Sequence, residues 1–199
     1  SSAGAGNSQI HVAGQLDNSK GVIASNAAAL AVASGSLRNV DGTLSHAGTQ
    51  GLTLSTGQLL GQDGHIVTAG ALTLTADEVD HRGATLQATQ IALAAQAFDN
   101  RGGQLVATGT QANHIDVAGA LDNGEDGLIA SNGDLTLNAA LLGNAGGTVQ
   151  QAGSGLLAIN AAIVNGAGGT LLSNGTLHVQ GDTTDLRAGT TSAQRIRIE

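Results

Sequence analysis

The stretch Gly119-Ala120-Leu121-Asp122-Asn123, continued by Gly127-Leu128-Ile129-Ala130-Ser131 and Leu135-Thr136-Leu137, states once a pattern that the chain repeats along its length. An aliphatic residue opens it, a polar residue and Asn follow, then a Gly, an aliphatic pair and a Leu-x-Leu doublet. The same opening is read at Leu16-Asp17-Asn18, Leu37-Arg38-Asn39, Phe98-Asp99-Asn100, Leu142-Gly143-Asn144 and Ile163-Val164-Asn165, with weaker forms at Leu59-Leu60-Gly61 and Val79-Asp80-His81. Successive openings lie 21, 22, 20, 19, 23, 21 and 21 residues apart. A period of this size marks a solenoid, whose unit cannot bury its apolar face alone and must stack on its neighbours.

Composition agrees with small repeated units. The 199 residues hold one Phe and no Trp, Tyr or Met, so burial rests on Leu, Ile, Val and Ala. With 31 Gly and no Pro, turns rely on glycine and on the tolerance of Asn and Asp for positive φ, and glycine at this density argues against helices. The net charge of −8 with seven cationic side chains disfavours nucleic acid or an anionic membrane as a partner, since both need a positive patch. Cysteine is absent, which removes disulfides and cysteine-type zinc sites and suits a chain that crosses the bacterial periplasm unfolded. No run reaches the ~20 apolar residues of a membrane span. The start Ser1-Ser2-Ala3-Gly4 has neither an initiator Met nor a signal peptide and reads as the edge of a piece from a longer protein.

Each period carries apolar residues two apart, as strands require. One stretch follows the Gly, as in Val22-Ile23, Leu128-Ile129 and Thr170-Leu171; the second is the doublet, as in Ile10/Val12, Leu30/Val32, Leu72/Leu74, Ile115/Val117 and Leu135/Leu137. A third, shorter stretch leads into the next opening. The doublets' middle residues, among them Ala31, Thr53, Thr73, Ala92, Asp116, Ala158 and His178, face solvent, and about four aliphatics per coil face inward. Leucine-rich repeats place Asn closer to Leu-x-Leu than the seven residues from Leu137 to Asn144, and the hexapeptide helix needs a multiple of six. The expected fold is all-β: a right-handed parallel β-helix, a single repeat segment over residues 1–199, with about nine coils of 19–23 residues and three short strands in each. Asn amides are expected to stack along the axis through Asn18 and Asn39 and through Asn123, Asn144 and Asn165, with a less regular middle at Gly61 and His81.

The chain resembles the filamentous haemagglutinin repeats of large exoproteins that Gram-negative bacteria secrete by the two-partner pathway. The likeness rests on residues 119–137 and on the parallel run Phe98-Asp99-Asn100-Arg101-Gly102-Gly103-Gln104-Leu105, and it extends over about positions 9 to 198. The resemblance implies a secreted or cell-surface protein, either an adhesin or the stalk of a contact-dependent growth inhibition toxin, with an outer-membrane translocator as partner. A host-cell or bacterial surface receptor is the other partner it allows; nucleic acid and membrane insertion are not expected. The family's N-P-N-L and V-E-N-N motifs are absent, so the segment is expected to be shaft, without the export signal or the toxin.

Parallel β-helices also include polysaccharide-degrading enzymes, which need converging carboxylates. The acidic residues Asp17, Asp80, Asp99 and Asp122 belong to the turn motif in separate coils, and turn bonding accounts for them. Asp77-Glu78-Val79-Asp80-His81-Arg82 is the densest ionisable cluster, where Asp80 and His81 are weighed as metal ligands against a solvated turn, and the turn is favoured. Glu125 and Asp126 are weighed as a Ca²⁺ site, but G-G-x-G-x-D is missing. His11, His46, His65, His81, His114 and His178 fall in different phases and read as surface residues; Phe98 reads as core. Arg195 and Arg197 are expected to pair with Glu199 or solvent. No catalytic, cofactor-binding or metal-binding residue is assigned, and the expected role is a shaft. The alternatives are an adhesive module that itself binds a receptor or glycan and, behind it, a carbohydrate-degrading enzyme.

Overall fold

A computed structural model describes residues 3–4 and 6–199. Ser1 and Ser2, with the reading of them as a cut edge, lie outside the described residues. Among the described residues every regular element is a strand and every strand pair is parallel, so the chain winds as stacked coils with no helix, and none therefore long and apolar enough to cross a membrane. Each coil contributes a short strand to a ten-stranded sheet and a long one to a twelve-stranded sheet. Short strands such as Thr43–His46, His65–Thr68, Thr85–Ala88 and Leu128–Ser131 pair in register with their counterparts one coil away.

The long strands correct the expectation of three short ones. In Ala29–Arg38, Gly51–Leu60, Ala71–Asp80 and Asn113–Asp122 the third stretch continues the doublet without a break. Only Gln90–Ala95 and Ala97–Asp99, and Thr176–Gln180 and Thr183–Asp185, divide it. Bulges mark the bend, with the register shifting between Val12 and Gln15 and between Val117 and Ala120. In the middle of the rod, expected to be less regular, the ten-residue strands on both sides of Gly61 are unbroken, while the coil after His81 has one of the two divided strands.

The interior is a column of aliphatics contributed about four to a coil, as expected: Leu30, Val32, Leu37 and Leu44 in one, Leu52, Leu54, Leu59 and Ile66 in the next, all at most 2% exposed. Two doublets sit two residues earlier than the sequence suggests: Ser8/Ile10 pairs with Leu30/Val32, and Asn113/Ile115 pairs with Leu135/Leu137. A two-residue slip preserves the inward face, so the core survives it. Parity fails once. Ile163 is 45% exposed and Val164 is buried, because Val164 pairs with Leu142 and Ile163 with Leu141. The last spacing is therefore 22 residues, and Gly166 takes the place expected for Asn165. Ala158, expected outward, is covered.

Each coil turns its first corner through a four-residue turn closed by a backbone bond, such as Gly21 N–H to Asn18 C=O or Gly42 N–H to Asn39 C=O. The third residue has positive φ, as in a type II turn: Lys20, Asp41, Asp63, Gly83, Gly102, Gly146 and Gly168. The fourth is usually glycine for a steric reason. A methyl at Gly147 would strike the Asn123 carbonyl one coil below, and one at Gly42 would strike that of Asn18.

Candidate functional site

The most polar feature of the molecule is this corner, built in two layers. The inner layer is an amide column. Asn18 Nδ2 donates to Asn39 Oδ1 at 2.7 Å; Asn100 Nδ2 donates to Asn123 Oδ1 at 2.7 Å; Asn123 Nδ2 donates to Asn144 Oδ1 at 2.8 Å. The same Nδ2 groups also reach the corner carbonyls, Asn123 those of Gly127 and Thr148, Asn39 those of Gly42 and His65. Both expected stacks exist as far as Asn144. The predicted step to Asn165 does not, because Asn165 faces solvent and Asn144 donates to the Thr170 carbonyl instead.

His81 occupies the same column. Its ring is buried, and Nδ1 lies 2.7 Å from Asn100 Oδ1. Asn100 spends its amide hydrogens on Asn123, Gly103 and Leu128, so its Oδ1 must accept and His81 Nδ1 must carry the proton. Nε2 is then a buried acceptor with no donor. Burial is the main cause that holds the imidazole below its ordinary pKa, against the opposing pull of Asn100, the Thr85 backbone and the nearby Asp80. The reading of all six histidines as surface residues is wrong for two. His46 is also buried, between the Ala27 carbonyl and Thr68 Oγ1, in a second polar corner that includes Asn113 bonded to Ser131 and Gln151 bonded to Ser173. Strand parity carries that signal, since His46 lies two residues past the inward Leu44.

The outer layer is ionic. Asp17, Asp80, Asp99, Asp122 and Asp185 each accept a backbone N–H two residues on, the turn role expected for the first four. Arg82, Arg101 and Arg187 fold back bidentately onto Asp80, Asp99 and Asp185. Cations interleave between coils, with Arg82 3.6 Å from Asp99 and Arg101 3.5 Å from Asp122 and from Glu125. The Arg82 bonds hold the Asp80 carboxyl below the ordinary range. At Asp99 burial pulls upward, but the bonds from Arg101 prevail and lower it, and the Arg187 clasp brings Asp185 down to about 2.

Asp80, Asp99 and Asp185 are ionised and engaged, the opposite of a poised proton donor. In the cluster at residues 77–82, Asp80 faces outward to Arg82 while His81 faces the interior, so the two cannot share a ligand. Glu125 and Asp126 hold consecutive positive φ values in a corner one residue longer than its neighbours. Among the described residues no three His, Asp or Glu side chains converge to hold a metal. Arg197 pairs with Glu199, as expected, and His178 shares that carboxylate. Phe98 fills an opening position in the core, tilted against His81 at 6.1 Å between ring centroids. A concavity of about 650 Å³ is an open trough along the bend that includes Asp77, Gln96, Asp116, Asn138 and Asn160. There Asn138 donates to Asp116 and Asn160 to Asn138, which leaves Asp77 and Asp116 in coils two apart instead of a carboxylate pair.

A corner turn, an opening apolar residue and a Leu-x-Leu-type row therefore recur along the coils, and the family model for the haemagglutinin repeat matches the chain at residues 3–61, 47–125, 106–161 and 152–198. The chain belongs to the haemagglutinin-repeat family. Searches among curated proteins and among solved structures return no significant match. In this haemagglutinin-repeat array the chemistry of the conspicuous polar residues is that of corner closure.

Proposed function

We propose that this array is a length of stiff shaft in a large secreted or surface-displayed bacterial exoprotein, where it holds a distal adhesive or toxic region away from the cell. The observation that carries this reading is the continuity of the two sheets from the first coils to the last. At ~4.8 Å per coil, about nine coils form a rod on the order of 40 Å long, braced by backbone bonds parallel to its axis. Engagement of the corner carboxylates supports a non-catalytic role. The family resemblance supports export through an outer-membrane translocator, a Gram-negative origin, and the place of residues 1–199 within a longer chain.

The test is removal of whole coils from the intact exoprotein. A shaft predicts that maximum dimension, read by small-angle scattering or electron microscopy, shortens by ~5 Å per coil and that delivery or adhesion declines gradually. Abrupt loss from the deletion of one particular coil would instead favour the second reading, an adhesive module that touches its receptor or glycan directly.

A further inference from the structure

The ten-stranded sheet differs from the rest of the surface in charge. None of the chain's 15 Asp and Glu or seven Lys and Arg lies in any of its strands. The twelve-stranded sheet carries Asp17, Arg38, Asp80, Asp116, Arg195 and others, and the first corner carries the ionic layer. Outward positions of the ten-stranded sheet form two rows. One runs through Thr43, His65, Thr85, Gln104, Leu128 and Thr148, the other through Ser45, Val67, Gln87, Val106, Gln150 and Leu172. Val22 is 72% exposed and Val67 36%, and a shallow hollow of about 570 Å³ opens around Ser45, Val67 and Gln87. Scarcity of aromatics leads one to expect no patch of exposed apolar or aromatic groups; this face is instead a mixture of Thr, Val, Leu, Gln, Ser and His without a carboxylate, Lys or Arg.

We infer that this face is where two copies of the array pair side by side, sheet against sheet. A net charge of −8 on each copy opposes their approach, and this is the broad face on which no like charges meet. Both copies also carry the same coil step, so rows of one meet rows of the other at every coil, and contact grows with the number of coils. Strands of four residues at ~3.3 Å each and nine steps of ~4.8 Å give roughly 500 to 600 Å² per copy. The total, on the order of 1,000 Å², stands at the lower bound of a specific interface, so a segment of this length pairs weakly and reversibly. The inference rests on the fold and the distribution of charge, independent of the shaft reading.

Sedimentation velocity of the 199-residue chain over about a hundredfold range of concentration tests it. A concentration-dependent dimer is expected, strengthened by added salt because salt screens the repulsion of the acidic surfaces. The double substitution Val67→Glu/Gln87→Glu is expected to weaken pairing at least tenfold, while Thr53→Glu/Thr73→Glu, on the outward face of the other sheet, leaves it unchanged, with circular dichroism confirming the fold of each. Because the chain has no native cysteine, Gln87→Cys should also yield a disulfide-linked dimer under mild oxidation and Thr73→Cys should not. A chain that stays monomeric in high salt, an equal effect of both glutamate pairs, or equal cross-linking at both cysteines overturns the pairing and leaves the shaft reading standing.

Discussion

His81 takes an asparagine's place in the interior and donates its one ring proton to Asn100, 2.7 Å away, which leaves Nε2 buried without a partner. Protonating Nε2 would put a charge inside the rod. Folding therefore lowers the pKa of this group, principally through burial. The stability it supports is present above the ordinary value of 6.5 and is lost as pH falls below it, by at most about 1.4 kcal/mol per pH unit. Urea midpoints measured from pH 7.5 to 5 should fall in the native chain. They should fall less in His81→Gln, which cannot titrate; an unchanged slope would remove His81 from the account.

Asn123 is bonded on both sides of its coil, accepting from Asn100 and donating to Asn144, Gly127 and Thr148. Asn123→Ala strands several buried groups at once, so a loss of about 3 kcal/mol is expected in chemical unfolding. The neighbouring Asp122→Ala, half out in solvent, should cost under ~1 kcal/mol. Equal costs would mean that the amide column contributes no more than the surface does.

Gly61 and Ala84 form a complementary pair. Where the column holds Asn, the fourth turn residue of the next coil is Gly, and a methyl at Gly64 would strike the Asn39 carbonyl and crowd its Nδ2. Beyond Gly61, which has no side chain, Ala84 fits and is buried. Gly61→Asn alone should therefore destabilise, whereas Gly61→Asn/Ala84→Gly should extend the column toward the empty acceptor of His81. A double-mutant cycle is expected to give a favourable coupling of about 1 kcal/mol or more; simple additivity would refute the pairing.

The ionic layer should matter little at neutral pH and somewhat more in acid. Arg101 is shared among Asp99, Asp122 and Glu125 on a solvated corner, so Arg101→Ala should cost under ~1 kcal/mol and less in high salt. Asp80 and Asp99 have lowered folded-state pKa values, so their contribution is present above the ordinary 3.8 and is lost as pH falls through the folded value. Two acid windows follow, the imidazole one higher and the carboxylate one lower. Melting curves at pH 6 and pH 3 for His81→Gln and Arg101→Ala should assign each window to its own residue.

Much of this fold is legible because strand parity and coil period restate each other, so the inward Leu30, Leu52, Leu72 and Leu135 are fixed by both. Reading fails where two registers fit equally well. Ile163-Val164-Asn165 offers an aliphatic at either of two places, and Gly168-Gly169 sets a glycine three residues past Asn165 and past Gly166 alike; only the turn bond from Gly169 N–H to the Gly166 carbonyl selects one. At His81 the glycine spacing points one residue too early, to Asp80 and Gly83, and it is the bond from Ala84 N–H to the His81 carbonyl that seats the imidazole inside. Joining the second and third stretches into one strand was not legible, because a bulge at Ala118-Gly119 and a true corner share the same small residues. The ionic layer was half legible: each Asp announces its turn, but the Arg two residues on gives no sign that it also bridges coils.

The corner at Asn123–Gly127 is one residue longer than its neighbours and absorbs the excess in two consecutive left-handed residues, Glu125 and Asp126, while the flanking strands keep their register. Bends of this kind act as splice points. Extra chain can be admitted there as an outward excursion without disturbing the coils on either side, so such a rod can acquire new surface loops, or whole grafted modules, at little structural risk.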